Sequence, residues 1–200
     1  MKPYFSWCST PTYLASLIAL ALLCSSAARA QAATVFTNDT LIGVLDTNYD
    51  GAELVVSNCT LMVDGVHSFA SIRLLSGGML THSFSSNGWL TVDGGSNVPS
   101  GLDLTVSNDF LVESGSVINA NGRGFGAGSG PGFGKSSGWP ASGSGGGHGG
   151  FGGASGTNSG ITLAGGVYDL IATPSEKGSG GGRGYQGEDF GGNGGGSIRI

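Results

Sequence analysis

The residues able to do chemistry are few in this chain of 200 residues. Asp93, Asp103, Asp109 and Glu113 fall within one strand-rich stretch. Two carboxylates about 5–10 Å apart on one sheet face would suit cleavage of a glycosidic bond. Cys59 would act as a nucleophile only beside a base, and the sequence sets no histidine next to it; it reads as a small buried residue in a strand. His67, His82 and His148 stand in neither H-E-x-x-H nor a Cys/His zinc spacing. His148, inside GSGGGHGGFGGASG, reads as a lone polar side chain on a glycine array.

Two ligand motifs come close and fall short. GFGKSSG resembles a phosphate loop, but Ser129 stands where the leading glycine is required. Neither a preceding strand nor a following helix is predicted to aim its amides at a phosphate. In LDTNYDGAE, the oxygen-bearing Asp46, Asn48 and Asp50 match the first half of a calcium loop. Ser57 replaces the glutamate that should close it, so an Asx-rich turn is the plainer expectation. Calcium there is the one cofactor the sequence suggests. No catalytic, cofactor-binding or metal-ligating residue is assigned.

The elements that must position these residues fall into two halves. From 31 to 121 the chain alternates short apolar runs (LIGVL, ELVVS, TLMVDG, SIRLLSGG, WLTVDGG, LDLTVS, FLVESGSVINA) with Gly, Asn, Asp or Ser. Period-two alternation within them predicts strands, and no stretch carries a helical period. LVVSNCTLMVDG (54–65) aligns with LTVSNDFLVESG (104–115) at an offset of fifty, and LLSGGML (74–80) resembles LVESGSVI. Recurring strand, polar corner, strand and glycine corner predict an all-β fold: a short β-solenoid, right-handed and β-helix-like, with a large glycine-rich insertion. A β-sandwich with a flexible glycine-rich tail is the alternative.

From 122 to 196, 31 of the 41 glycines are concentrated. Glycine loses the most backbone freedom on ordering, and the large apolar side chains here are too few to offset that cost by burial. Either the region is a tether or it is ordered by main-chain hydrogen bonds, as in close-packed polyglycine-II-like arrays. Recurrent aromatics and sparse proline favour order, as does the strand-like GGGSIRI, where a strand is expected to resume over 197–200. The island ITLAGGVYDLIATP is expected to hold a short strand pair. Phe133, Trp139, Phe151 and Tyr185 then offer surfaces for stacking on a ligand.

Residues 1–30 read as a secretory signal peptide: Lys2, an apolar run over 14–23, and Ala28-Arg29-Ala30 before cleavage after Ala30. The run is too short to span a bilayer, so no membrane insertion is expected once it is removed. Cys8 and Cys24 leave with it, and Cys59 has no partner for a disulfide. Thirteen acidic residues against six remaining lysines and arginines argue against nucleic acid as a partner.

Together ELVVSNCTLMVDG, FASIRLLSGG, SVINANGRGFG, GSGGGHGGFGG and GGGSIRI resemble the glycine-rich, β-solenoid-like segments of large exported bacterial surface proteins of the autotransporter or adhesin kind. The resemblance rests on strand–glycine rhythm and transfers no catalytic motif. It implies a secreted or surface-exposed, non-enzymatic structural or adhesive module that contacts carbohydrate or another cell-surface component. Because an uncapped strand sits at Ile200, the chain is expected to be a fragment of a larger protein. A polysaccharide-degrading β-helix enzyme using the four acids is the alternative, and an ice- or mineral-facing surface is a weaker third reading.

Overall fold

The computed structural model describes residues 32–136, 142–157, 160–184 and 191–200. The expected export segment, Trp139 and Tyr185 lie outside the described residues. The fold is all-β. Strands are short because each apolar run ends at a turn residue within about five positions. They are β1 (Thr34–Phe36), β2 (Thr40–Ile42), β3 (Glu53–Ser57), β4 (Thr60–Val63), β5 (Gly65–Phe69), β6 (Ser71–Leu75), β7 (Met79–Thr81), β8 (Trp89–Thr91), β9 (Asn97–Pro99), β10 (Leu102–Val106), β11 (Phe110–Val112), β12 (Val117–Ile118), β13 (Ser155–Thr157), β14 (Gly160–Thr162) and β15 (Ile198–Arg199).

Three sheets are parallel throughout. The first runs β1-β3-β6-β11, the second β2-β4-β7-β12 and the third β5-β10-β15. From β3 onward the sheets are visited in the order first, second, third, then first again, whereas β2 of the second sheet leads back to β3 of the first without a third-sheet strand between them. Where nothing intervenes, registered partners are 18 to 21 residues apart, as in Glu53↔Ser71 and Thr40↔Leu61. Two connections from the second sheet to the third are enlarged. After β7 the antiparallel hairpin β8–β9 is inserted; after β12 comes the whole glycine-rich region, so that Leu102 and its partner Ile198 lie 96 residues apart. The corresponding step from β4 to β5 is Asp64 alone. Both insertions therefore leave from the same corner of successive passes and meet there: the Gly126 N–H donates to the Ser86 carbonyl.

Inward positions alternate with outward ones, as a one-sided strand requires. Leu54 and Ile72, Val56 and Leu74, and Leu61 and Leu80 are registered pairs that lose all contact with solvent. On the third sheet the inward set is Leu102, Leu104, His67 and Phe69. His67 faces an acceptor at each ring nitrogen, Asp50 Oδ1 at 3.0 Å and the Asp64 carbonyl at 3.1 Å, and its ring stacks on Phe69. It is a polar residue kept in a core by satisfying both ends.

Of the two similarities seen in the sequence, one joins segments that lie in register and the other does not. LLSGGML and LVESGSVI occupy equivalent places, with Leu74↔Val112 and Met79↔Val117 in register. The copies at offset fifty do not. Leu54 belongs to the first sheet and Leu104 to the third, so one copy turns from first sheet to second and the other from third to first. Val-Ser-Asn closes two corners that join different pairs of sheets, so this corner similarity does not report register. Cys59 also corrects its expectation. It sits half-buried in the corner between β3 and β4, not in a strand, and its thiol donates to the Phe36 carbonyl at 3.3 Å. The strand pair expected in the island joins SGT to GIT, so one strand comes from before it.

In the glycine-rich region, cohesion comes from the main chain. Segments 124–134, 143–153, 178–182 and 191–196 belong to neither helix nor sheet. Segment 178–182 bonds to three others: Phe125 N–H to the Gly178 carbonyl, Gly182 N–H to the Ser144 carbonyl, and Gly181 N–H to the Gly192 carbonyl, at 2.8–3.0 Å. A sheet strand has two neighbours; three make a bundle bonded in two dimensions. Gly147 N–H to Gly132 and Gly165 N–H to Gly145 extend it. The buried hydroxyls of Ser144 and Ser179 fill gaps by accepting from Lys135 N–H and Gly132 N–H. Such spacing excludes Cβ atoms: one added to Gly165 would meet the Gly132 carbonyl and, at 2.6 Å, the Gly147 nitrogen.

Gly165→Ala is therefore expected to cost about 1–3 kcal/mol in urea unfolding. Gly153→Ala, with nothing within 4 Å of its added methyl, should be neutral or stabilise by about 0.4–1 kcal/mol. Equal small effects at the two positions would contradict a packed bundle.

Candidate functional site

Where the two insertions lean over the outward face of the third sheet they leave a cavity of about 490 Å3. Its floor is Val66 of β5, Asp103 of β10 and Arg199 of β15, three registered neighbours, and Ile198 also lines it. One wall is the hairpin, with Trp89 and Pro99 directly opposite in register. The other is 174–177 with Phe125 behind it. The volume is in the range of sites for small molecules, and the mixture of apolar walls with a few convergent polar groups is typical of them.

Alternation puts Asp103 and Arg199 outward on neighbouring strands as registered partners. The guanidinium donates through Nε to Asp103 Oδ1 at 2.7 Å and through Nη2 to Oδ2, a two-pronged contact. That carboxylate holds the Arg199 pKa above its ordinary value. Trp89 is 49% exposed along the wall.

Lys177 lies at the base of the cavity and is only 4% exposed. Its ammonium donates to the Gly88 carbonyl and, at 2.7 Å, to Ser100 Oγ, with the Phe125 ring centre 5.2 Å away. Gly88 leaves room for this: a Cβ there would strike the Phe125 ring and lie 3.0 Å from Nζ. The lysine thereby ties the glycine-rich region to the base of the hairpin. Burial lowers its pKa to about 8, with the nearby Glu176 charge pulling the other way.

Behind the cavity, His82 is fully buried. Its Nδ1 lies 2.9 Å from the Ser83 carbonyl and so carries the proton, while Nε2 has no hydrogen-bond partner. Burial lowers the His82 pKa, opposed by the Ser83 carbonyl and Asp64.

The remaining candidates are dispersed. Asp103 lines the cavity, whereas Asp109 and Glu113 belong to the corners on either side of β11. Glu113 Oε2 accepts the Ser76 N–H at 3.0 Å, capping a corner in the left-handed region. Asp93 opens the short turn after β8. Asp46 Oδ1 accepts from the backbone and side chain of Asn48, whereas Asp50 turns away to His67. Among the described residues no three His, Cys, Asp or Glu side chains gather as metal ligands. Phe133 is half-buried with Lys135 Nζ 3.7 Å from its ring centre, and Phe151 is 80% exposed.

His148 is not the lone side chain expected. Its Nε2 lies 3.2 Å from Asp169 Oδ2 and its ring meets the edge of Tyr168. Asp169 accepts N–H bonds from Glu176, Leu170 and Ser175, which hold its carboxyl below the usual carboxylate range. The Ser175 hydroxyl bonds to Asp169 and not to His148, so this is a clasp closing the 169–176 loop and not a charge-relay triad. Lys177 carries no motif in the sequence, and His82 is visible there only as a histidine outside any metal spacing; the tertiary fold alone buries them.

Between pH 8 and the ordinary lysine value of 10.5, the unfolded chain holds a proton that folded Lys177 has released. Stability therefore rises with pH across that window, by at most about 1.4 kcal/mol per unit. Lys177→Met should abolish this gain, as measured by the difference in unfolding free energy between wild type and variant. A difference that is flat with pH would contradict the buried amine.

No family model matches the chain, and neither do the curated proteins or solved structures compared with it.

Proposed function

We propose that this chain is an exported, non-enzymatic structural or adhesive surface module: a short right-handed parallel β-helix carrying the glycine-rich region as a backbone-packed wall. The β-helix reading draws on the repeated return of the chain to the same parallel sheets, at offsets of 18 to 21 residues in the first and second where nothing intervenes. Export draws on the leader pattern at 1–30. Among the described residues no helix is long and apolar enough to cross a membrane.

One observation carries the adhesive reading. Because main-chain bonds hold the glycine-rich region together, several of its large side chains are released from core duty and turned outward. Phe151 and Ile171 are each 80% exposed, with Leu163 and Leu170 nearly as open. Ile171 packs near Gly149, two residues from Phe151. Exposed apolar groups of this density mark contact surfaces, and carbohydrate or another cell-surface component is the partner class proposed.

The alternative, a polysaccharide-degrading enzyme, draws on the presence of Asp103 and Glu176 along one cavity. Release of reducing ends from pectin or alginate would favour it over the adhesive reading.

Phe151→Ala combined with Ile171→Ala should reduce retention on glycan arrays or cells at least several-fold. Circular dichroism and unfolding free energy should stay within about 0.5 kcal/mol of wild type, as for other surface changes. Undiminished retention would end the adhesive reading of this surface.

A further inference from the structure

We propose that the cleft over the third sheet binds a carboxylated sugar, its carboxylate on Lys177 and its ring against Trp89. The decisive feature is a buried cation with no carboxylate in contact, Glu176 acting on it only from a distance. Lys177 is almost wholly removed from solvent, yet its acceptors are the Gly88 carbonyl and the Ser100 hydroxyl, both neutral. The ion pairs among the described residues are His67–Asp50, His148–Asp169 and Arg199–Asp103. Burying an ammonium unpaired is costly, and here it is buried at the base of a cavity of about 490 Å3. An ammonium has three donors; two are spent on the protein, and one remains for a ligand entering from above. A carboxylate supplies both the missing charge and the acceptor.

The rest of the cleft selects a sugar over a plain organic acid. Trp89 offers an indole along one wall, half of its surface open, with Pro99 beside it. A pyranose presents an apolar face of C–H groups that suits such a surface. On the floor, the Asp103–Arg199 pair sets acceptors and donors side by side in fixed geometry, which matches vicinal hydroxyls that both donate and accept. Glu176, exposed at the rim, disfavours a ligand bearing several negative charges close together. One carboxylate per sugar residue fits the balance.

The site is separate from the apolar surface around Phe151, so loss of either function leaves the other measurable. The test is calorimetric titration of the full chain with galacturonate and with galactose, which differ at C6 alone. Galacturonate should bind at least tenfold more tightly. Lys177→Met should erase that preference, and Trp89→Ala should weaken both sugars together. Equal affinities, no binding of either sugar, or a preference retained in Lys177→Met would overturn the proposal. If Lys177→Met does not fold, the 15N resonance of Lys177 Nζ in the wild type decides: a shift with galacturonate and none with galactose supports the site, and no shift with galacturonate overturns it.

Discussion

The structure depends on one constraint: every buried main-chain N–H and C=O must find a partner whether or not side chains accompany it. In the three parallel sheets, ordinary strands meet this demand with Leu, Ile and Val filling the centre. In the glycine-rich region the same demand is met with almost nothing between the backbones. Gly178–Gly195, Gly181–Gly192 and Gly134–Gly180 bonds hold segments so close that a methyl group has no room at many positions. The glycines are there because of that proximity more than because of flexibility. GSGGGHGGFGGASG follows the rule. Gly145 and Gly147 bond to Gly153 and Gly132, His148 reaches Asp169, and Phe151 is left outside.

A bundle of this kind needs an edge to start from, and the parallel sheets supply it. Gly196 N–H returns to the Ala120 carbonyl, Leu102 N–H takes the Ser197 carbonyl, and β15 then adds to β10. The ends of the long insertion are thereby pinned together, which reduces the entropy lost in ordering what lies between. Lys177 and Ser86 attach it laterally to the hairpin. The cleft is the space left where a sheet face, a hairpin and a glycine bundle meet at an angle none of them can fill.

Much of the scaffold was legible in the residues. ELVVS, LDLTVS and the strand after GGG lie where alternation put them, and Ser-Gly at 76–77 and 114–115 marked equivalent corners. Strand β5 was passed over because His67 interrupts its apolar pattern, and only Asp50 and the Asp64 carbonyl make that histidine a core residue. The offset-fifty alignment misleads because Val-Ser-Asn closes two corners that join different sheets. The site was not legible. Asp103 was singled out for its charge, but its partner lies 96 residues away, and Trp89, Lys177 and Glu176 converge only through insertions whose common corner no local pattern records.

The described glycine-rich segments form a solid held by their backbone. Amide hydrogen exchange resolves it glycine by glycine. The amides of Gly134, Gly147, Gly165, Gly181 and Gly194, each bonded to a carbonyl elsewhere in the bundle, should exchange orders of magnitude more slowly than in an unstructured peptide. Their protection should approach that of Leu54 and Leu61 in the sheets. Exchange at free-peptide rates across these five positions, with the sheets still protected, would contradict the account.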